Sequence, residues 1–264
     1  MRQRLAISFS GGRTSAYMTW RVLRDYGEAH EILVLFANTG QEHEKTLEFV
    51  NRCDKEFGFN VVWLEAVVNP EAQKGTRHKV VDYATAARKG EPFEAVIAKY
   101  GIPNPDFPHC NRELKLAVMN SYVREAGWGS DFYKVIGIRA DEMDRVAHDY
   151  IKEKKWYPLV DMRVFKEDIT GWWMRQSFDL EIPEHLGNCT WCWKKSHRKH
   201  MTLAQDYPEV FDFPRRMEAL YADSGAGEGA EDSSENTAPL MTFSRTPKSP
   251  LSRLWMGISS AKPG

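Results

Sequence analysis

The chain lacks any apolar run approaching the roughly 18 residues that a membrane-crossing helix needs, so no membrane partner is expected. A strand-like segment begins within a few residues of Met1; no signal peptide is expected, and the cytoplasm is the expected location. Cysteine is scarce, at four in 264 residues. That argues against a disulfide scaffold and leaves the thiols available for metal binding or catalysis in a reducing compartment. There is no internal repeat. Basic residues are missing from 223–236, where five acids stand: Asp223, Glu228, Glu231, Asp232 and Glu235. Without those five the balance is 36 basic to 32 acidic residues, a mildly basic body that suits a polyanionic substrate without demanding one. From residue 222 to Gly264 the composition is too poor in apolar residues for a core. Most of this tail is expected to be disordered, with Leu251 to Ile258 able to dock locally.

What is present is a soluble globular composition, 42% hydrophobic and 28% charged, long enough for one large core. Its organising stretch is Leu5-Ala-Ile-Ser-Phe-Ser-Gly-Gly-Arg-Thr-Ser15. Leu5 to Phe9 reads as a buried strand, Ser10-Gly11-Gly12 as a turn, and Thr14 or Ser15 as the start of a helix with Ala16, Trp20 and Leu23 on one side. Paired glycines let the backbone approach a phosphate closely, and the free N–H groups of a first helical turn favour an anion. Ser8, Ser10 and Ser15 add hydroxyls. No Walker lysine follows, and the pattern is not Gly-x-Gly-x-x-Gly.

Glu31 to Phe36 and Asn60 to Leu64 read as further buried strands, separated by a helix from about Glu42 to Phe57. This alternation predicts an α/β fold, a doubly wound and mainly parallel sheet with ligands at the carboxyl ends of its strands. On that edge the turn Asn38-Thr39-Gly40 should lie beside Ser10 to Ser15. Asp131 to Ile136 is a fourth strand, delivering Gly137-Ile-Arg139-Ala-Asp-Glu142 and Arg145 to the same edge, a set suited to anionic groups. The cluster Lys74, Arg77, His78 and Lys79 reads as a solvated loop, Phe93 to Tyr100 as a short helix, and Asn111 to Glu125 as a longer one. A nucleotide-binding α/β domain is expected over 1–160 and a small helical, cysteine-containing region over 161–221.

Cys189-Thr-Trp-Cys192 has the spacing of a metal-binding or redox pair, and His109 and Cys110 supply two more soft donors. Together they form a candidate four-ligand set for a metal; buried thiols are the plainer account. Cys53 is expected to be structural. The run Trp193-Lys-Lys-Ser-His-Arg-Lys-His200 is basic and aromatic-flanked, suited either to solvent or to a nucleic-acid backbone.

Ser10-Gly11-Gly12-Arg13-Thr14-Ser15 resembles the pyrophosphate loop of the N-type ATP pyrophosphatases, the superfamily that includes the phosphoadenylylsulfate (PAPS) reductases. Thr14 stands where that loop usually carries Asp. Asn38-Thr-Gly-Gln-Glu42 through Phe49, Gly137-Ile-Arg139-x-x-Glu142-x-x-Arg145, and Lys155 to Asp161 followed by Asp168-Ile-Thr-Gly-Trp-Trp resemble that family's later motifs in order. The resemblance covers roughly residues 4 to 200. It implies an adenine nucleotide, ATP with Mg²⁺, held by Ser8, Ser10, Gly11, Gly12, Arg13, Thr14, Ser15, Asn38, Thr39, Gly40 and Gly137, with Ser10, Arg139 and Arg145 carrying the chemistry. His109-Cys110-Asn-Arg112 is similar to the Cys-Cys element that joins a later Cys-x-x-Cys on an iron–sulfur cluster in adenylylsulfate reductases. The resemblance thus implies an iron–sulfur cluster at Cys110, Cys189 and Cys192, with zinc as the alternative. The absence of a cysteine after Cys192 argues against the reductases. It favours cleavage of ATP to AMP and pyrophosphate, activating an acceptor such as nucleic acid for sulfur transfer from a donor protein. Sulfonucleotide reduction is the alternative, and a non-catalytic nucleotide- or nucleic-acid-binding module with structural zinc is the alternative of another class.

Overall fold

A computed structural model describes residues 2–71 and 73–221; the acidic stretch and the tail expected to be disordered lie outside them. Six strands form one sheet: β1 (Arg4–Ser8), β2 (Glu31–Ala37), β3 (Val61–Val67), β4 (Arg77–Val81), β5 (Tyr133–Val135) and β6 (Lys155–Trp156). Their spatial order is β4-β3-β2-β1-β5-β6, and only the β3–β4 pairing is antiparallel. The sheet is therefore the expected mainly parallel, doubly wound type. The chain winds outward from β1 in one direction through β2 and β3, then returns to its other side at β5. That reversal makes the carboxyl ends of β1 and β5 a switch point, where crevices open in such sheets.

Helices cover both faces: α1 (Arg13–Tyr26), α2 (Glu44–Phe57), α3 (Glu91–Tyr100), α4 (His109–Asn111), α5 (Val118–Glu125), α6 (Pro158–Asp161), α7 (Lys166–Trp173), α8 (His197–Asp206) and α9 (Asp212–Tyr221). Strand alternation divides the core in two. Leu5, Ile7, Val34, Phe36 and Trp63 face one way, onto α1, α2 and the Trp172–Trp173 pair of α7. Ala6, Leu35, Leu64 and Ala66 face the other, onto α3, α5, α8 and α9. Burial on both faces explains the nearly continuous apolar runs of these strands. Residues 161–221 contribute side chains to both cores.

Two local expectations change. Arg77, His78 and Lys79 are not a loop but part of β4, an edge strand whose charged side chains suit an unpaired border. The helix expected from Asn111 begins at His109 and passes through a π-helical turn, Arg112–Ala117, before α5. No helix among the described residues is long and apolar enough to cross a membrane.

Candidate active site at the switch point

The loop after β1 closes on Ser15. Its Oγ accepts from the backbone N–H of Ser10 at 3.2 Å and of Gly12 at 3.3 Å, meets Ser10 Oγ at 3.0 Å, and donates to the Gly12 carbonyl at 2.9 Å. These bonds fix the curl of the loop over the start of α1, and a helix start favours an anion. Gly11 makes the curl feasible: its φ is +74°, and a Cβ there would lie 2.7 Å from Thr46 Cγ2. Ser8 ends β1 half-buried, and Ser10 is exposed. Arg13 turns away from the loop, forming a bidentate pair with Asp179 at 2.6 and 2.8 Å and donating to the Leu180 carbonyl. Its own carbonyl accepts the Trp173 indole N–H at 3.1 Å. Arg13 therefore anchors the loop to the segment after α7.

The far wall comes from the turn after β5. A Cβ on Gly137 would stand 3.3 Å from Ser15 Cα, so the two turns pack backbone to backbone. Arg139 extends Nη1 to Thr14 Oγ1 at 3.4 Å, while Asp141 at 2.8 Å and Glu142 at 3.4 Å hold its guanidinium. Its hydrogen bond to Asp141 strengthens its hold on its proton and keeps the Asp141 carboxyl below the ordinary carboxylate range. Arg145 pairs with Glu142 and is largely exposed.

The third turn, after β2, is held from within. Asn38 is fully buried; its Nδ2 donates to Glu65 Oε1 at 2.6 Å and to the Ala87 carbonyl at 2.8 Å, and its Oδ1 accepts from Gly40 N–H at 3.2 Å. Thr39 donates its N–H and its hydroxyl to Glu42 at 2.9 and 2.8 Å. Asn38 and Thr39 thus shape the turn, and the N–H groups of Thr39 and Gly40 are both taken up within it. Glu65, fully buried, also accepts from Ala87 N–H and meets Lys79 Nζ at 2.9 Å. Sequence reasoning missed Glu65. An acid within the apolar run Val-Val-Trp-Leu-Glu-Ala-Val was the available signal, because a buried carboxylate needs partners. A cavity of about 410 Å³ opens beside this turn, lined by Gln41, Glu42, Arg88, Thr190 and Phe213 among others; none of Ser10 to Ser15 lines it.

The Cys-x-x-Cys loop docks on the same turn. Glu42 and Cys189 form an antiparallel bridge, Thr190 N–H donates to the Gln41 carbonyl at 3.0 Å, and Trp191 Nε1 donates to Gln41 Oε1 at 2.8 Å. Burial pushes the thiols of Cys189 and Cys110 upward, and the neighbouring Cys192 adds to the effect on both. Burial pulls Lys195 downward against the opposing influence of Cys189 and Cys192; its ammonium donates to the Gly187 carbonyl at 2.6 Å.

The expected four-ligand metal set is not assembled. Among the described residues, no group of three or more His, Cys, Asp or Glu side chains is gathered as a metal would require. His109 is stacked near Tyr100 and Phe107, with Nδ1 3.1 Å from Arg112 Nη2. Burial, then Arg112, lowers its pKa. Its ring is held by aromatic and arginine neighbours. Cys192 nonetheless lies near enough to Cys110 and to Cys189 to influence both thiols. Cys53 is buried in the core on the inner face of α2, as expected, and burial drives its thiol far upward. The basic run after the cysteines is also partly consumed by the fold: His200 is buried and Lys199 pairs with Glu184 at 2.8 Å.

Comparison with known proteins agrees with this geometry. Over 200 residues the chain is 37% identical to the uncharacterized nin region protein ORF290 of Escherichia phage lambda, covering 73% of this chain and 67% of that protein. It is 24% identical over 218 residues to the uncharacterized protein MJ0973 of Methanocaldococcus jannaschii, and 25% identical over 142 residues to MJ0066 of the same organism. Those matches cover 78% and 54% of this chain but only 45% and 24% of the archaeal proteins. Residues 4–166 match the phosphoadenosine phosphosulfate reductase domain, a stretch that includes all three turns of the switch point and ends before Cys189. The chain belongs to the phosphoadenosine phosphosulfate reductase domain family, whose substrates are adenine nucleotides.

Proposed function

We propose that the chain is an ATP pyrophosphatase-type enzyme, binding MgATP on the loop Ser10 to Ser15 and activating an acceptor for sulfur transfer. The observation that carries this reading is the curl of Ser10 to Gly12 over the start of α1, closed by Ser15, with the helix start and the Arg139 guanidinium at Thr14 side by side. Such donors favour a polyphosphate and stabilise the charge that develops as it leaves. In the proposed reaction an acceptor carbonyl oxygen attacks the α-phosphorus, and the bond to the bridging oxygen breaks so that pyrophosphate departs with the electron pair. A sulfur nucleophile then attacks the activated carbon, and its C–O bond breaks to release AMP carrying that oxygen. Mg²⁺, when bound with ATP, would supply charge neutralisation of the phosphates. Ser10 and the start of α1 hold the departing pyrophosphate, Arg139 and Arg145 neutralise anionic oxygens, and Asn38 to Gly40 border the nucleotide.

The cavity beside Gln41 and Thr190 is the proposed acceptor site; the neighbouring thiols of Cys189 and Cys192 favour sulfur handling there. The test is pyrophosphate and AMP release from ATP with thiol and nucleic-acid acceptors, for the wild type and for Ser10→Ala and Arg139→Ala. Loss of about 100-fold or more in either variant, with the fold retained, is expected for a removed transition-state donor. Sulfite release from phosphoadenylylsulfate would instead support the reductase chemistry. Tight nucleotide binding without turnover of any acceptor would make the chain a binding module.

A further inference from the structure

A second charged concavity lies at the opposite end of the sheet. β5 and β6 run parallel to β1, so their first residues mark the edge away from the phosphate loop. There a hollow of about 340 Å³ is lined by Arg124, Lys134, Lys152 and Lys154, with Glu153 the one acid in its wall among the described residues. Ser130 and Asn120 add neutral hydrogen-bonding groups. Two of the cations have acidic neighbours: Lys134 meets Glu153 at 3.5 Å, and Lys154 meets Asp131 at 2.6 Å. Arg124 and Lys152 are exposed.

The backbone gathers this charge at a conformational cost. Lys154 has φ of +48°, a region costly for a residue with a side chain. Its carbonyl accepts the Lys134 N–H at 2.7 Å, which fixes the two lysines together. Tyr133, at 36% exposure, lies close enough to Lys154 to influence its charge. With Lys134 and Lys154 paired to acids, Arg124 and Lys152 leave the hollow with positive charge that an anion with several oxygens offsets.

We infer that this hollow is a second binding site, independent of the nucleotide loop, for a phosphate-bearing anion. A nucleic-acid backbone and a free polyphosphate share that chemistry. Fluorescence anisotropy of the full chain separates them, using a labelled single-stranded oligonucleotide and, as competitor, inorganic tripolyphosphate. The double variant Arg124→Ala/Lys152→Ala is expected to weaken oligonucleotide binding at least about tenfold and to lower the salt slope by about two. Lys45→Ala, on the surface of α2, should leave it unchanged. Competition by tripolyphosphate that is lost in the double variant assigns the site to free polyphosphates as well; binding of the oligonucleotide alone assigns it to nucleic acid. If the double variant fails to fold by circular dichroism, Lys134→Gln serves in its place. The inference is overturned if the charge variant binds both probes as the wild type does, or if the wild type binds neither.

Discussion

Gly11 shows how tightly a single position can be constrained at this site. Its positive φ acts together with the position of Thr46 Cγ2, 2.7 Å from where a Cβ would stand, and neither can be relieved without moving α2 or the loop. Gly11→Ala should therefore destabilise the fold by about 1–3 kcal/mol and weaken nucleotide binding. Urea denaturation measures the first effect, and a midpoint equal to the wild type would show that the curl tolerates a side chain. The Gly-Gly pair was legible in the sequence because the signal is local: strand, turn and helix start fall within a few residues. The use of Arg13 was not legible, since its partner Asp179 stands 166 positions away. His109 illustrates the same limit. Its identity suggests a ligand, yet Tyr100, Phe107 and Arg112 decide what its ring does.

At the scale of elements, β4 and the π-helical turn after α4 depend on one another. Thr76, just before β4, donates to Glu113 Oε2 at 2.5 Å, and Arg112 donates to Glu113 Oε1 at 2.6 Å. Burial alone would raise the Glu113 pKa; the bonds from Thr76 and Arg112 outweigh it and bring the carboxyl below its ordinary 4.5. A carboxylate depressed in the folded state contributes stability that is full above its unfolded pKa and is lost as pH falls through the folded one. Glu113→Gln should thus melt lower than the wild type near neutral pH, with the gap closing below pH 4.5. Thermal melts across that range check this; a gap independent of pH would mean the pair contributes by shape alone. The interior strands β1 to β3 were readable from their apolar runs. β4 was not, because edge strands carry the same charged composition as loops, and β6 is only two residues long.

Across the whole molecule, the Gln41 side chain joins the turn after β2 to the cysteine loop through Trp191, which is 1% exposed. Gln41→Ala would leave that indole N–H buried without its partner, at a cost of about 1–3 kcal/mol. Freed from its dock, the loop should expose Cys189, whose thiol is kept protonated by burial in the wild type. Mass-spectrometric alkylation at neutral pH should then be several-fold faster at Cys189 in the variant. Equal rates would show that the loop holds its place without Gln41. The sheet order carries a consequence for how the chain is made. As the polypeptide leaves the ribosome, β1 finds β2 on one side almost at once, but its other neighbour, β5, begins only at Tyr133. Until then one side of the central strand offers unpaired amides to any passing chain, a hazard for aggregation. The same delay withholds Gly137 and Arg139 from the phosphate loop, so a nascent chain carries half a binding site long before it carries a whole one.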